Sequence, residues 1–409
     1  VLQMIALHYR LTRNDEWIFR HRDSIIRSCR WIKLLRATTA KETNPAYRGL
    51  MPRGQATDAT FASSHLQSYY TDIPTYLALR EILPVLKAFD EDLYREFALE
   101  TEDYRQSLLR SIDLSVLLPD EFKEDIAEYD YSAILYQYAL PLSRITQFEA
   151  NGVPTFLKNS VYTRAEAEEK GLKGYISVVP QIRVPLKAEY LDIYFMNLFG
   201  MLSDEIDFSS DAPICPNGRV SGRQLWEIIV RQSQLLGYED VEIGQYNHTV
   251  SYLYYHLHKM LSGNEQRNYT EALRWLGAYC EPGTYVMMED SRVNCPPENW
   301  WIPSPFALSM AVYRHGIRNA FLYEEGDRLV VGKLLSFDWI DRMITEEKPI
   351  SFRNAPTYFG RVSIHYSFSF LRNTVTAQVV FHDTDRLPQS AEVRFHYPAD
   401  RPPVKVCLC

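Results

Sequence analysis

The chain has 409 residues, a mass of 47.7 kDa and a net charge of −8, from 44 Lys and Arg against 52 Asp and Glu. Its 46% apolar and 23% charged residues are ordinary globular usage, which excludes disorder, collagen or a coiled coil as the whole architecture. The acidic balance argues against wrapping nucleic acid, and no apolar run reaches the roughly 18 residues of a membrane span. Length alone predicts roughly two or three domains.

Helical periodicity dominates the first 320 residues. A helix is expected over 2–11 and another from Glu16 to Arg36, with Trp17, Ile18, Ile25, Ile26, Cys29 and Ile32 on one face. Asn14 or Asp15 would cap it. Its Arg-rich positions, part of a basic stretch from Arg10 to Arg36, read as a solvated face. A loop rich in Gly, Pro, Thr and Ser follows over 44–65. A very aromatic helix over Ser68–Ala88 starts near Asp72, so that Pro74 falls in its first turn. A charged helix over Asp90–Ile112 suits an outer position. Further helices are expected at 187–202, 221–236, 246–262, 266–281 and 304–318, with Gly237 and Gly263 at C-caps. Paired helices joined by long loops at one end suggest a toroid of helical hairpins.

After about Arg318 the texture changes. Segments 328–335, 361–370, 374–382, 391–397 and 403–408 alternate apolar and polar residues and are separated by turn residues. The expected organisation is a helical domain over 1–320 and a C-terminal antiparallel β module over 321–409. Six cysteines form no CxxC pair, so structural zinc is not expected, and neither a metal nor a cofactor is called for. GxGxxG, Walker, GxSxG and HExxH motifs are absent.

Two segments between helices concentrate carboxylates and aromatics. The first runs from Gly49 through Asp58 to His65, Tyr69 and Asp72; the second from Gly283 through Glu289 and Asp290 to Trp300 and Trp301. Glycosidic bond hydrolysis needs such residues: an acid to protonate the leaving oxygen, a carboxylate to activate water, and rings to stack on sugars. Each has a plain structural alternative. Asp58 suits an Asx turn, Asp72 a helix N-cap, Glu289 and Asp290 a solvated loop, Trp300 and Trp301 a helix staple, and His65 a structural hydrogen bond. A third group, Tyr246-Asn247-His248-Thr249, opens another aromatic helix. His256 and His258 are two apart and do not share a helix face.

In this order the segments resemble the six-hairpin glycosidases. The residues that carry the likeness are Ala6–Trp17, Gly49-Leu50-Met51-Pro52 with His65, Tyr69, Asp72 and Ala78-Leu79-Arg80, then Glu289 with Trp300–Pro305, and Tyr358–Ser363. The resemblance implies an (α/α)6 toroid followed by a β-sandwich, and inverting hydrolysis of an oligo- or polysaccharide. Asp58 would be the general acid and Glu289 the general base. His65, Tyr69, Asp72, Tyr246, Asn247, Asp290, Trp300 and Trp301 would contact sugar. The family has further elements before the point where this chain starts, so a preceding segment or an additional chain is expected to complete the ring. A polymer-degrading role favours an extracellular or periplasmic setting. Two rival expectations stand beside this one. A polysaccharide lyase would use Tyr69 with His65, or Tyr246 with His248, as base and Arg219 as carboxylate partner. A non-catalytic member of the fold would bind saccharide only.

Overall fold

A computed structural model describes residues 1–54, 66–137, 149–150, 152–187, 195–235, 307–335 and 337–395. The fold is mixed: helices run through the described residues up to 235, and a small antiparallel sheet lies near the C-terminus. The chain divides into two compact units, Val1–Tyr9 with Asn14–Asp240, and Arg10–Arg13 with Val241–Cys409. The helices expected over 246–262 and 266–281, the caps at Gly237 and Gly263, and the strand at 403–408 lie outside the described residues.

Helix α1 (Leu2–Thr12), whose residues up to Tyr9 belong to the first unit, matches its expected span. The next expected helix is two: α2 (Asp15–Arg20) and α3 (Arg22–Thr39), separated at His21. Asn14 caps α2, its side chain accepting from the Trp17 N–H at 2.9 Å. The stripe Ile25, Ile26, Cys29 and Ile32 of α3 is buried, as its spacing predicts. The solvated reading of the basic face fails at one position, because Arg36 is also buried.

The aromatic helix α4 (Tyr69–Phe89) matches its expected span of 68–88, but it does not start near Asp72. Ser68, not Asp72, is its N-cap, accepting from the Tyr70 N–H at 3.2 Å. The Tyr69 N–H is held by the Val178 carbonyl at 2.8 Å, which fixes the start there. Pro74 therefore sits beyond the first turn, inside the helix, as does Pro84. Asp90 ends α4 and caps α5 (Glu91–Ser115), accepting from the Asp92 and Leu93 N–H groups. The two helices pack as a hairpin around Ile73, Tyr76, Phe97, Tyr104, Leu108 and Ile112, all buried.

The chain after α5 has short helices, α6 (Ser132–Gln137), α7 (Thr155–Lys158), α8 (Arg164–Glu169) and α9 (Phe195–Gly200), and then α10 (Gly222–Leu235). Isolated bridges tie Leu117 to Tyr175 and Val161 to Leu186. The Gln232 amide bonds both the N–H and the carbonyl of Ile176, docking α10 on that stretch.

In the second unit, α11 (Ala307–Phe321) leads into β1 (Leu322–Glu325) and β2 (Arg328–Val331). A helix that the alternation did not suggest follows, α12 (Phe337–Thr345). Strands β3 (Ile350–Thr357), β4 (Gly360–Ser369) and β5 (Thr374–Phe381) form an antiparallel meander in the order β3-β4-β5. β6 (Ser390–Val393) pairs parallel with β2, in a second sheet ordered β1-β2-β6. The core here gathers Phe321, Leu329, Val331, Ile340, Val362, Ile364 and Tyr366.

Candidate functional site

Of the ten candidate site residues, only Tyr69 and Asp72 are described. Asp58, His65, Tyr246, Asn247, Glu289, Asp290, Trp300 and Trp301 lie outside the described residues. The described pair sits where α3, α4 and α5 meet the two flanks of the segment carrying Asp58 and His65.

Asp72 lies on α4 and is 1% exposed. Its Oδ1 accepts from the Met51 N–H at 2.8 Å and from the Tyr104 hydroxyl at 2.7 Å. Its Oδ2 is buried with no hydrogen-bond partner among the described residues. Burial raises the carboxyl from 3.8 to about 7, against the opposing pull of the Met51 N–H, the Tyr104 hydroxyl and the Arg36 charge. Burial and the neighbouring Asp72 push the Tyr104 hydroxyl well up. Asp72 therefore holds its proton far above the usual carboxylate range.

Arg36 closes the network from α3. Its guanidinium stacks over the Tyr104 ring, 4.1 Å from the centroid. It donates to the Gly49 carbonyl at 2.7 Å, to Asp103 at 2.9 Å and to Glu100. A 3% exposed guanidinium needs such partners, since an unpaired buried charge is costly. Gly49 takes a φ of +76°, and a Cβ there would meet Ser107 Oγ at 2.6 Å, so only glycine fits.

Further bonds fix the flanks of the Asp58 segment. Thr39 Oγ1 donates to the Leu50 carbonyl at 2.5 Å. The Gln67 amide donates to the carbonyls of Tyr47 at 3.2 Å and Met51 at 3.1 Å. Gly54 pairs with Leu66, the Gly54 N–H reaching the Leu66 carbonyl at 3.0 Å. Residues 54 and 66 are thus held side by side above a buried polar base.

Tyr69 is 0% exposed. Its hydroxyl meets Ser111 Oγ at 2.9 Å and donates to Ser115 Oγ at 3.0 Å, and its ring stands edge-on to Phe199. Burial pushes the hydroxyl above its ordinary range. Tyr69 and Asp72, both expected to contact sugar, face the protein interior, where the hydroxyl and the carboxyl group bond to other protein groups. Of the residues named for a lyase, Tyr69 and Arg219 are described, while His65, Tyr246 and His248 lie outside the described residues. Tyr69 is a poor base when buried and bonded to two serines. Arg219 donates to the carbonyls of Asp113 and Val116, each at 2.9 Å, and to Glu121 at 3.2 Å.

Sequence reasoning missed Arg36, Gln67 and Tyr104. Arg36 falls at i+4 from Ile32, on the buried stripe, and this spacing was the available signal. Among the described residues no three His, Cys, Asp or Glu side chains converge as metal ligands would. No described helix is long and apolar enough to cross a membrane. No family model, curated protein or solved structure matches the chain.

Proposed function

We propose that the chain is a glycoside hydrolase of oligo- or polysaccharides, built on a helical toroid with a C-terminal β-sandwich. Asp58 is the general acid and Glu289 the general base of an inverting reaction. The observation that supports this reading is the hydrogen-bonded frame at the two ends of the Asp58 segment, residues 49–54 and 66–72. Met51 is bonded at its N–H by Asp72 and at its carbonyl by Gln67, and Gly54 is paired with Leu66. An acid acting on a glycosidic oxygen needs a fixed origin of this kind, because small misplacements cost much of the rate. The water activated by Glu289 needs the two carboxyl groups roughly 6.5–9.5 Å apart. His65, Tyr246, Asn247, Asp290, Trp300 and Trp301 supply the sugar contacts, and Tyr69 and Asp72 hold the frame from inside.

Site-directed variants test this directly. Asp58→Asn and Glu289→Gln are each expected to lose about a thousandfold in turnover of a cleaved oligosaccharide, with unchanged circular dichroism. Azide is expected to restore part of the turnover of Glu289→Gly. Wild-type turnover in either single variant removes that residue from the mechanism. Saccharide binding by the unaltered chain with no turnover at all would favour the non-catalytic reading.

A further inference from the structure

The β3-β4-β5 sheet of the second unit has two unlike edges. β3 carries the features that discourage pairing with another chain. It has Arg353 and Pro356 within the strand, and its register with β4 shifts between Phe352 and Ala355. Asn354, inside that shift, takes a φ of 51°. A charge, a proline and an irregular backbone together spoil that edge as a template.

β5 has none of these. Its sequence, Thr-Val-Thr-Ala-Gln-Val-Val-Phe, has no charge, proline or glycine. It pairs with β4 over eight consecutive residues, from Val362↔Phe381 to Ser369↔Thr374, without a shift. Among the described residues it pairs with β4 alone. Its side chains alternate strictly. Thr374, Thr376, Gln378 and Val380 are exposed, while Val375, Ala377, Val379 and Phe381 are half-buried and pack against the core cluster.

We infer that β5 is a homotypic interface, and that a second copy of this chain adds its own β5 antiparallel to it, making one six-stranded sheet. The strand is complementary to itself. Antiparallel partners must lie on the same face of the sheet, which restricts the two-fold axis to a residue position. An axis through Ala377 sets Val375 against the second copy's Val379 and Ala377 against its counterpart, with Thr376 opposite Gln378 outside. An axis through Gln378 sets Val375 against the second copy's Phe381 and Ala377 against Val379, with the two Gln378 amides opposed. In both registers the inner row is wholly apolar and extends the core, and the outer row is wholly uncharged. A peptide from another protein would need to match this pattern, whereas a second copy supplies it. The acidic net charge of the chain is no obstacle, because no ionised side chain lies on the strand itself.

The outer row allows a test that spares the fold. Thr376 and Gln378 are exposed, so Thr376→Lys with Gln378→Lys leaves the core untouched and places like charges across the axis in either register. Light scattering after size exclusion is expected to give twice the 47.7 kDa chain mass for the full wild-type chain at micromolar concentration. The double-lysine variant is expected to elute as a monomer with unchanged circular dichroism. Mixing it with a Thr376→Glu, Gln378→Glu variant is expected to restore the doubled mass as a mixed dimer. A monomeric wild-type chain overturns the inference. So does a double-lysine variant that keeps the doubled mass, which would move the interface elsewhere.

Discussion

Replacing Asp72 by Asn isolates a strongly raised carboxyl ionisation. The folded carboxyl titrates near 7 and the free side chain near 3.8. Between those values the native state binds a proton that the unfolded chain has released. The contribution of this site to stability is therefore fully present below about pH 4 and is lost as pH rises towards 7. At about 1.4 kcal/mol per pH unit, the total is roughly 4 kcal/mol. Asn keeps an oxygen to accept from the Met51 N–H and the Tyr104 hydroxyl, and it cannot ionise. Urea unfolding of both proteins at several pH values between 4 and 9 gives the difference in stability directly. Every other group titrates in both, so the difference reports Asp72. The variant is expected to gain on the wild type steadily from pH 4 to 7 and to hold a constant advantage above. Parallel curves across the whole range would show that Asp72 ionises as an ordinary carboxylate and that its burial has been misjudged.

Three other substitutions test the frame. Gly49→Ala should destabilise by roughly 2 kcal/mol or more in urea unfolding, because alanine resists the positive φ and its Cβ meets Ser107. Tyr69→Phe removes the hydroxyl shared by Ser111 and Ser115 and should cost about 1 kcal/mol while leaving any saccharide turnover intact; loss of turnover without loss of stability would return Tyr69 to the reacting groups. Arg36→Met leaves Glu100 without its buried partner and should cost about 3 kcal/mol. It also removes the positive charge that opposes protonation of Asp72, so the upper end of the pH window described above should move upward in that background.

The helices were legible where one face is apolar at a spacing of three and four, as in α3, α4, α5 and α10. Their ends depended on tertiary partners. For α4 the local signal of Ser68 as N-cap agrees with a distant partner, the Val178 carbonyl that accepts from the Tyr69 N–H. The β texture of the C-terminal module was legible from alternation in β4 and β5. β3 was not, because Arg353, Asn354 and Pro356 read as a loop and are tolerated only on an edge strand. At the candidate site the sequence marked carboxylates and aromatics by type and spacing. It could not tell a carboxylate facing substrate from one turned into the core. Asp72 was offered both as a sugar contact and as a helix N-cap; it is turned inward, where the Tyr104 hydroxyl of α5 and the Met51 N–H bond it. Arg36 shows the converse: a charged residue on a buried stripe is invisible to a rule that puts charges outside.

The most direct test of the hydrolase reading is the configuration of the first product, followed by proton NMR while the full chain acts on a panel of oligosaccharides. Asp58 and Glu289 acting across a water predict a new reducing end whose anomeric configuration is opposite to that of the bond cleaved. Release with retained configuration, or an unsaturated uronate product in place of a new hydrolytic end, would contradict it.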